Sequence, residues 1–429
     1  MFQRIKNQQF FFIEAPDNNG YGLLYFPLAQ KFCYPWKKKD LYKLQNIHED
    51  DIKQLPEELL QAIRISSMVS GKINVETLPT IEDISRLTII PGYNCNFNCQ
   101  YCYARQTRRF SKKLDLANLY SAIDLFFSTT KCKNLTLAFT GGGEPCLEQD
   151  ILFKAVEYAK QTLPPNIELT YSLTTNGSII DSVLQNFLLQ HNFSVRVSFD
   201  VIPNIQNVQR GHWEIVDKNI LQLLSSGIKT AIRSVLTHQS VDCLQDIVNL
   251  VEDRYYNLEY LDIEPAFDPT LSPAVLEKFL TSFRKNLFSV IFNTNRGKIT
   301  VDSLILRMLR ETGMLFCNGE LCLLPEGGIT WCHRVTPDAE YAEDFRYGNI
   351  KNGLLNINKE KFKILCFQGS ALRDACCSDC LAHWNCSGGC LLQNKLFSPE
   401  QKKIYCRFIC DSLEEYLFEQ GSVKSNMKK

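Results

Sequence analysis

The sequence predicts an α/β protein built around a parallel sheet with helices packed on it, flanked by a smaller unit on either side. Three features carry that prediction. Between residue 86 and about residue 300, six short runs of β-branched and aromatic residues alternate with stretches that are apolar at helical spacing. A hairpin-like segment precedes them, and from about residue 313 the alternation fades while cysteines crowd in. Six consecutive βα units pair as a parallel sheet with right-handed crossovers, and such sheets collect ligands at the C-terminal ends of their strands.

Residues 1–85 read as a separate small α+β domain. Gln9–Ile13 and Tyr21–Phe26, separated by Pro16-Asp-Asn-Asn-Gly20, have a hairpin pattern, and helical stretches follow at Lys39–Leu44 and Pro56–Ser67. The unit is either a packing cap or a peptide-binding module, since an exposed sheet edge can capture an extended peptide as an added strand. The six strands are expected at Leu87–Ile90, Leu135–Phe139, Leu169–Thr174, Val195–Phe199, Thr230–Leu236 and Leu258–Ile263, with amphipathic segments such as Leu116–Phe126 between them. Arg233, a charge inside a strand that is otherwise buried, calls for a partner in the interior. The segment 416–429, ending in the polar run Gly421–Lys429, is expected to be disordered.

Just past the first strand, Cys95-Asn-Phe-Asn-Cys99-Gln-Tyr-Cys102 puts three thiols on one short loop. A four-iron cluster takes thiolate ligands, and three cysteines leave one iron with an open position. Zinc is the alternative, but its structural sites usually pair one C-x-x-C with a second. Thr140-Gly-Gly-Gly-Glu144-Pro145 follows the second strand, where glycines let backbone come close to a ligand. Ser172 and Asn176-Gly177 come at the end of the third, Asn-Gly being also an ordinary turn pair. Ser198 and Asp200 end the fourth, and Arg210, whose planar guanidinium suits a carboxylate, lies downstream.

In order and spacing these motifs resemble those of the radical S-adenosylmethionine (SAM) enzymes. The resemblance covers roughly residues 86–410 and implies a partial (β/α)6 TIM-like barrel as the core, residues 86–310. It implies that Cys95, Cys99 and Cys102 hold a [4Fe-4S] cluster whose open iron chelates the amino and carboxyl groups of SAM. An electron from that cluster would then break SAM to a 5'-deoxyadenosyl radical. By the same resemblance Gly141, Gly142, Gly143 and Glu144 contact the SAM amino group, and Ser172 and Asn176 reach its ribose or methionyl part. Arg210 would pair with the SAM carboxylate, Ser198 would face the same region, and Tyr101 would lie near the adenine.

The C-terminal cysteines run C-x9-G-x4-C from Cys317 through Gly327 to Cys332, with Cys322 inside; after a gap come Cys377, Cys380, Cys386, Cys390 and then Cys406. This resembles the SPASM domain of radical SAM maturases, and implies a cysteine-rich iron-sulfur domain over residues 311–415 with two auxiliary [4Fe-4S] clusters, three in all. Carried across, Cys317, Cys322, Cys332 and Cys390 hold one auxiliary cluster, and Cys377, Cys380, Cys386 and Cys406 the other. Cys410 competes with Cys406, and Cys376 with Cys377. Cys33, Cys132, Cys243 and Cys366 lack metal spacing, whereas Cys146 follows the glycine turn and could face the SAM pocket.

The implied activity is hydrogen abstraction from a ribosomally made precursor peptide to install a thioether or carbon–carbon crosslink, with flavodoxin or ferredoxin as electron donor. The alternatives are oxidation of a protein side chain, as in sulfatase maturases, or of a small alcohol. A different class, the non-enzymatic iron-sulfur electron carrier, needs no cofactor pocket. His333 follows Cys332 where anaerobic sulfatase maturases carry an aspartate proposed as base, so His333, Asp200 and Cys146 are the candidate catalytic groups.

A formal net charge of zero, with acids and bases intermixed, leaves no electrostatic footprint for nucleic acid or an anionic membrane. There is no signal-peptide pattern and no run of about eighteen apolar residues. Eighteen cysteines in such a chain point to a reducing cytoplasm and to metal rather than disulfides.

Overall fold

The computed structural model describes residues 3–4, 10–15, 20–30, 32–41, 44, 55–105, 111–292, 299–374 and 377–426. Strands β1 (Gln3–Arg4), β2 (Phe11–Glu14), β3 (Tyr21–Phe26) and β4 (Phe32–Lys37) form an antiparallel sheet in sequence order. The expected hairpin is β2–β3, with Phe12 opposite Leu24; its Pro16–Asn19 connection lies outside the described residues. Its uninterrupted apolar run is explained by burial on both faces. Phe10, Phe12, Leu24 and Phe26 pack with Leu59 and Ala62 of the helix Glu57–Ser70, while Phe11, Ile13, Leu23 and Tyr25 turn the other way into the main core. Of the helix expected at Lys39–Leu44, only a single turn, Lys38–Asp40, is described as such.

The main sheet contains β5 (Arg86–Ile89), β6 (Asn134–Phe139), β7 (Glu168–Thr175), β8 (Ser194–Ser198), β9 (Lys229–Leu236) and β10 (Leu261–Pro265), parallel throughout. All six expected strands are present, so the α/β partial barrel read from the sequence is the fold observed. Only the last shifts appreciably. Asn257 takes a left-handed turn conformation (φ 68°), so Leu258 belongs to the approach and the strand begins at Leu261.

Leu87, Ile89, Leu137, Phe139, Val195, Val197, Leu261 and Ile263 are fully or almost fully buried and join the core with residues of the covering helices. The residues alternating with them, Thr88, Thr136, Ser172, Arg196, Arg233 and Asp262, face the opposite side and give the barrel a polar interior. The partner Arg233 requires is Asp262, directly opposite in register, with both Nε and Nη2 2.8 Å from Oδ2.

β11 (Val301–Asp302) extends the sheet beyond β10, and four C-terminal strands extend its other edge. β12 (Leu321–Leu323) runs parallel to β5, and β13 (Gly328–Thr330), β14 (Arg346–Lys351) and β15 (Leu354–Ile357) continue antiparallel. The cysteine-rich segment is thus stitched to the barrel edge at Cys322.

The expectation of a disordered tail from residue 416 is corrected. The helix Pro399–Asn426 covers it as far as the described residues extend, because Leu413 and Leu417 continue an apolar stripe one turn apart, and Tyr416 meets Phe292 of the helix Pro273–Phe292. No helix among the described residues is long and apolar enough to cross a membrane.

Candidate active site at the barrel rim

The loop from Pro91 to Cys102 leaves the C-terminal end of β5 and is tied down by the ends of the next strands. The glycine turn after β6 donates Glu144 N–H to Asn94 O at 2.7 Å; Asn176, past β7, donates to Asn96 Oδ1 at 2.9 Å; Gln100 N–H reaches Gln209 O at 2.9 Å. Phe97 is buried and stacks on His212 at 4.9 Å. Cys99 is buried and Cys95 and Cys102 half-buried, with Asn176 Nδ2 4.0 Å from the Cys95 sulfur and Arg210 Nη1 3.9 Å from that of Cys99. Donors of this kind beside sulfur suit thiolate ligands of a cluster.

Packing alone demands glycine at two of the three positions in the turn. A Cβ on Gly143 would stand 2.1 Å from Asn94 O, and one on Gly142 2.4 Å from an Ile90 methyl. Gly141 (φ 69°) instead looks toward Tyr103 and His333 at the mouth. Ser172 Oγ, on the interior face of β7, is buried without a hydrogen-bond partner among the described residues, which fits a polar ligand in the barrel. Ser198 is half-buried on β8, opposite Arg233 in register.

Asp200 does not fit the role of a base. Its Oδ2 accepts from Tyr101 Oη at 2.6 Å, Gln209 Nε2 at 3.0 Å and Arg210 Nε at 3.1 Å, and Oδ1 accepts from Val235 N–H at 3.0 Å. A carboxylate satisfied four times over holds others in place. Arg210 is therefore already paired within the protein; burial works against its charge, but Tyr101, Asp200 and Cys99 around it keep it protonated. Its guanidinium also lies over the Tyr101 ring, 5.0 Å from the centroid.

Glu144 and Cys146 also turn inward. Glu144 is 3% exposed and accepts from Thr175 Oγ1 at 2.6 Å, Cys146 N–H at 3.0 Å and Asn176 N–H at 2.7 Å, stitching the β6 and β7 rims together. Burial still pushes its carboxyl up, against those hydrogen bonds. The Cys146 thiol, 3.3 Å from Thr175 Oγ1, is buried beside that carboxyl, and burial above all raises it well above its usual range. It is neither open to the mouth nor acidic enough to serve there.

His333 does reach the rim. Its Nδ1 lies 2.7 Å from Glu320 Oε1, and its ring meets Tyr103 edge-on at 6.4 Å. Burial opposes ionisation of Glu320, yet His333 and Arg86 hold its carboxyl below the usual range. Glu320 went unrecognised in the sequence, although it stands between Cys317 and Cys322 with the left-handed Gly319 before it.

The C-terminal thiols fall into two neighbourhoods. Cys317, Cys332 and Cys390 influence one another electrostatically, and Cys322 is coupled to Cys332. Cys386 is influenced by Cys377, Cys380 and Cys406, while Cys410 lies 3.4 Å from the Cys380 sulfur. Cys406 and Cys410, one helical turn apart, face the same group; Cys376 lies outside the described residues. No three His, Cys, Asp or Glu side chains among the described residues converge on one point as a single ion requires. Four-iron clusters instead take one thiolate per iron, a spread arrangement with which these neighbourhoods agree.

A three-thiol loop on the C-terminal rim of a parallel partial barrel, with a glycine turn one strand further on, defines the radical SAM enzymes. The chain is a radical SAM enzyme of the SPASM type: the Radical SAM superfamily profile matches residues 89–251. It is 24% identical over 350 residues to the radical SAM cyclopropyl synthase TigE of Paramaledivibacter caminithermalis, covering 75% of this chain and 70% of that one. It is 23% identical over 343 residues to a cysteine-type anaerobic sulfatase-maturating enzyme of Clostridium novyi, covering 72% of this chain and 88% of that one. The fold matches that of native anSMEcpe with bound AdoMet at a TM-score of 0.64 and 19% identity, over 80% of this chain and 100% of that chain. The same neighbour has also been solved with AdoMet and Cp18Cys peptide.

Proposed function

We propose that this enzyme modifies a ribosomally made precursor peptide, installing a thioether or carbon–carbon crosslink in a cytoplasmic setting. The observation that carries the reading is the meeting of two regions at one mouth. Gly141 of the SAM-side turn looks onto His333, which directly follows Cys332 of the first auxiliary thiol group. A substrate bound there lies between the loop of Cys95, Cys99 and Cys102 and the C-terminal thiols. The solved neighbour with AdoMet and a peptide bound together supports a peptide substrate.

In this reading Cys95, Cys99 and Cys102 hold the first [4Fe-4S] cluster. Cys317, Cys322, Cys332 and Cys390 hold an auxiliary cluster, and Cys377, Cys380, Cys386 and either Cys406 or Cys410 hold the third. Gly141 and Ser172 line the SAM pocket. Bound there, cluster and SAM supply the one-electron chemistry that starts hydrogen abstraction. The chain's own residues position and shield. Asp200 locks Tyr101 and Arg210 against the cluster loop, and Glu320 fixes the His333 ring toward the mouth. The β1–β4 sheet, with Pro35 marking β4 as an edge strand, offers a surface for strand addition by a leader segment. Electrons would come from a flavodoxin or ferredoxin.

The test is anaerobic incubation of reconstituted enzyme with SAM, dithionite and short peptides encoded beside its gene. The expected result is a peptide that loses a pair of hydrogens in step with 5'-deoxyadenosine. Gain of an aldehyde on a protein side chain instead would establish the sulfatase-maturase type of reaction and overturn the crosslink.

A further inference from the structure

Arg334, two residues after Cys332, is held by aromatic rings. Its guanidinium lies over the Tyr103 ring at 5.7 Å and over the Phe267 ring at 5.0 Å, within cation–π range of both. Tyr103 belongs to the loop after β5 and Phe267 to the loop after β10, the first and last of the six barrel strands. One side chain therefore bridges the loops that follow β5 and β10, next to His333 in sequence. Phe397 stacks on Phe267 at 5.2 Å and continues the shelf into the C-terminal region.

Arg210, Arg233 and Arg346 are neutralised within the protein: Arg210 by Asp200, Arg233 by Asp262, and Arg346 by Glu326 and Glu343. Among the described residues no carboxylate lies within ion-pair distance of Arg334, and aromatic faces hold it instead. Glu264, at the end of β10, is occupied by the Leu304 N–H at 2.9 Å and by Arg233 at 3.7 Å. Stacking fixes the plane of a guanidinium while leaving its edge N–H groups free for a planar oxyanion. Arg334 is half-buried and Tyr103 is 37% exposed, so part of this surface reaches solvent.

We infer that Arg334 is a specificity-determining residue that binds a carboxylate of the substrate at the barrel mouth. The carboxylate is either an acidic side chain near the modified residue or a C-terminal carboxyl group. The inference rests on the peptide reading for its substrate class but not for its chemistry.

The test is calorimetric binding to anaerobically reconstituted enzyme preloaded with SAM, a readout that needs no turnover. The probes are acetyl-Gly-Glu-Gly-amide, its Gln counterpart, acetyl-Gly-Gly-Gly with a free carboxyl, and glutarate. The Glu peptide should bind on the order of tenfold more tightly than the Gln peptide, as a charge-assisted contact requires. Arg334→Gln should abolish that preference and Arg334→Lys should keep part of it. Preference for the free-carboxyl peptide would support the inference with the C-terminus as source. Binding of glutarate alone, lost in Arg334→Gln, would keep Arg334 as the carboxylate site and overturn the peptide reading. Equal binding of Glu and Gln peptides, the same preference in Arg334→Gln, or no binding by any probe would overturn the inference.

Discussion

The loop of Cys95, Cys99 and Cys102 and the thiol groups between Cys317 and Cys410 are built on different principles. The first is held by protein on every side: Asn94, Asn96, Gln100 and Tyr101 are each hydrogen-bonded to the end of another barrel strand or the segment just beyond it. The second hangs on strands of three to six residues and on short helices, apart from the helix Pro399–Asn426 that carries Cys406 and Cys410, with its thiols gathered in two groups. The barrel thus orders its site through protein hydrogen bonds, whereas the proposed auxiliary clusters would tie the C-terminal fold in part to metal.

The sharpest break between the two comes from removing ligands. Replacing Cys95, Cys99 and Cys102 together by alanine should reduce 5'-deoxyadenosine formation below detection while leaving the circular-dichroism melt of the barrel almost unchanged. Replacing Cys322 and Cys332 by serine should do the opposite to structure. Hydrogen exchange across residues 313–410 should accelerate by orders of magnitude while strands β6–β9 stay protected. If both sets destabilise the chain equally, the contrast is wrong.

Within the barrel, Asp200→Asn should cost about 3–5 kcal/mol in denaturant unfolding, because it leaves Arg210 buried without its counter-ion. A cost under about 1 kcal/mol would show that Asp200 does not anchor the rim.

A pH effect is smaller. Burial, with Asp262 adding to it and Arg233 opposing, pushes the Glu264 carboxyl up to about 7. A raised acid contributes stability below its unfolded value near 4.5, and that contribution is lost as pH rises through about 7. Glu264→Gln should therefore gain in melting temperature relative to the parent between those pH values; a pH-independent difference would contradict the assignment.

The smallest effect concerns docking of the N-terminal sheet. Tyr25 Oη donates to Asn385 Oδ1 at 2.8 Å in a buried contact, so Tyr25→Phe should cost about 1 kcal/mol. Unchanged stability would separate that sheet energetically from the cysteine-rich region.

The same contrast governs what could be read in advance. β5 to β10 announce themselves because short β-branched and aromatic runs alternate six times with helical periodicity, and the thiols because their spacing is chemical. Strands β12 and β13 are three residues each, too short to show alternation. The contact of His333 with Glu320 depends on the β12–β13 hairpin folding back, and that of Tyr25 with Asn385 on residues 360 positions apart. Asp200 and Cys146 looked reactive and Glu144 looked like a cofactor contact in the sequence; the hydrogen bonds around Asp200 and Glu144 and the burial of Cys146 depend on contacts between separate strand ends, which no local pattern displays. The helix Pro399–Asn426 was hidden by its polar end, since Leu417 gains its value from packing against the main core.

The most direct test of the central claim is electron paramagnetic resonance of the dithionite-reduced enzyme with Cys317, Cys322, Cys332, Cys377, Cys380, Cys386, Cys390, Cys406 and Cys410 replaced by alanine. One cubane signal that shifts on adding SAM is the predicted result, since the remaining cluster has an iron the protein leaves open. A signal indifferent to SAM, or zinc in place of iron and sulfide at Cys95, Cys99 and Cys102, would contradict it.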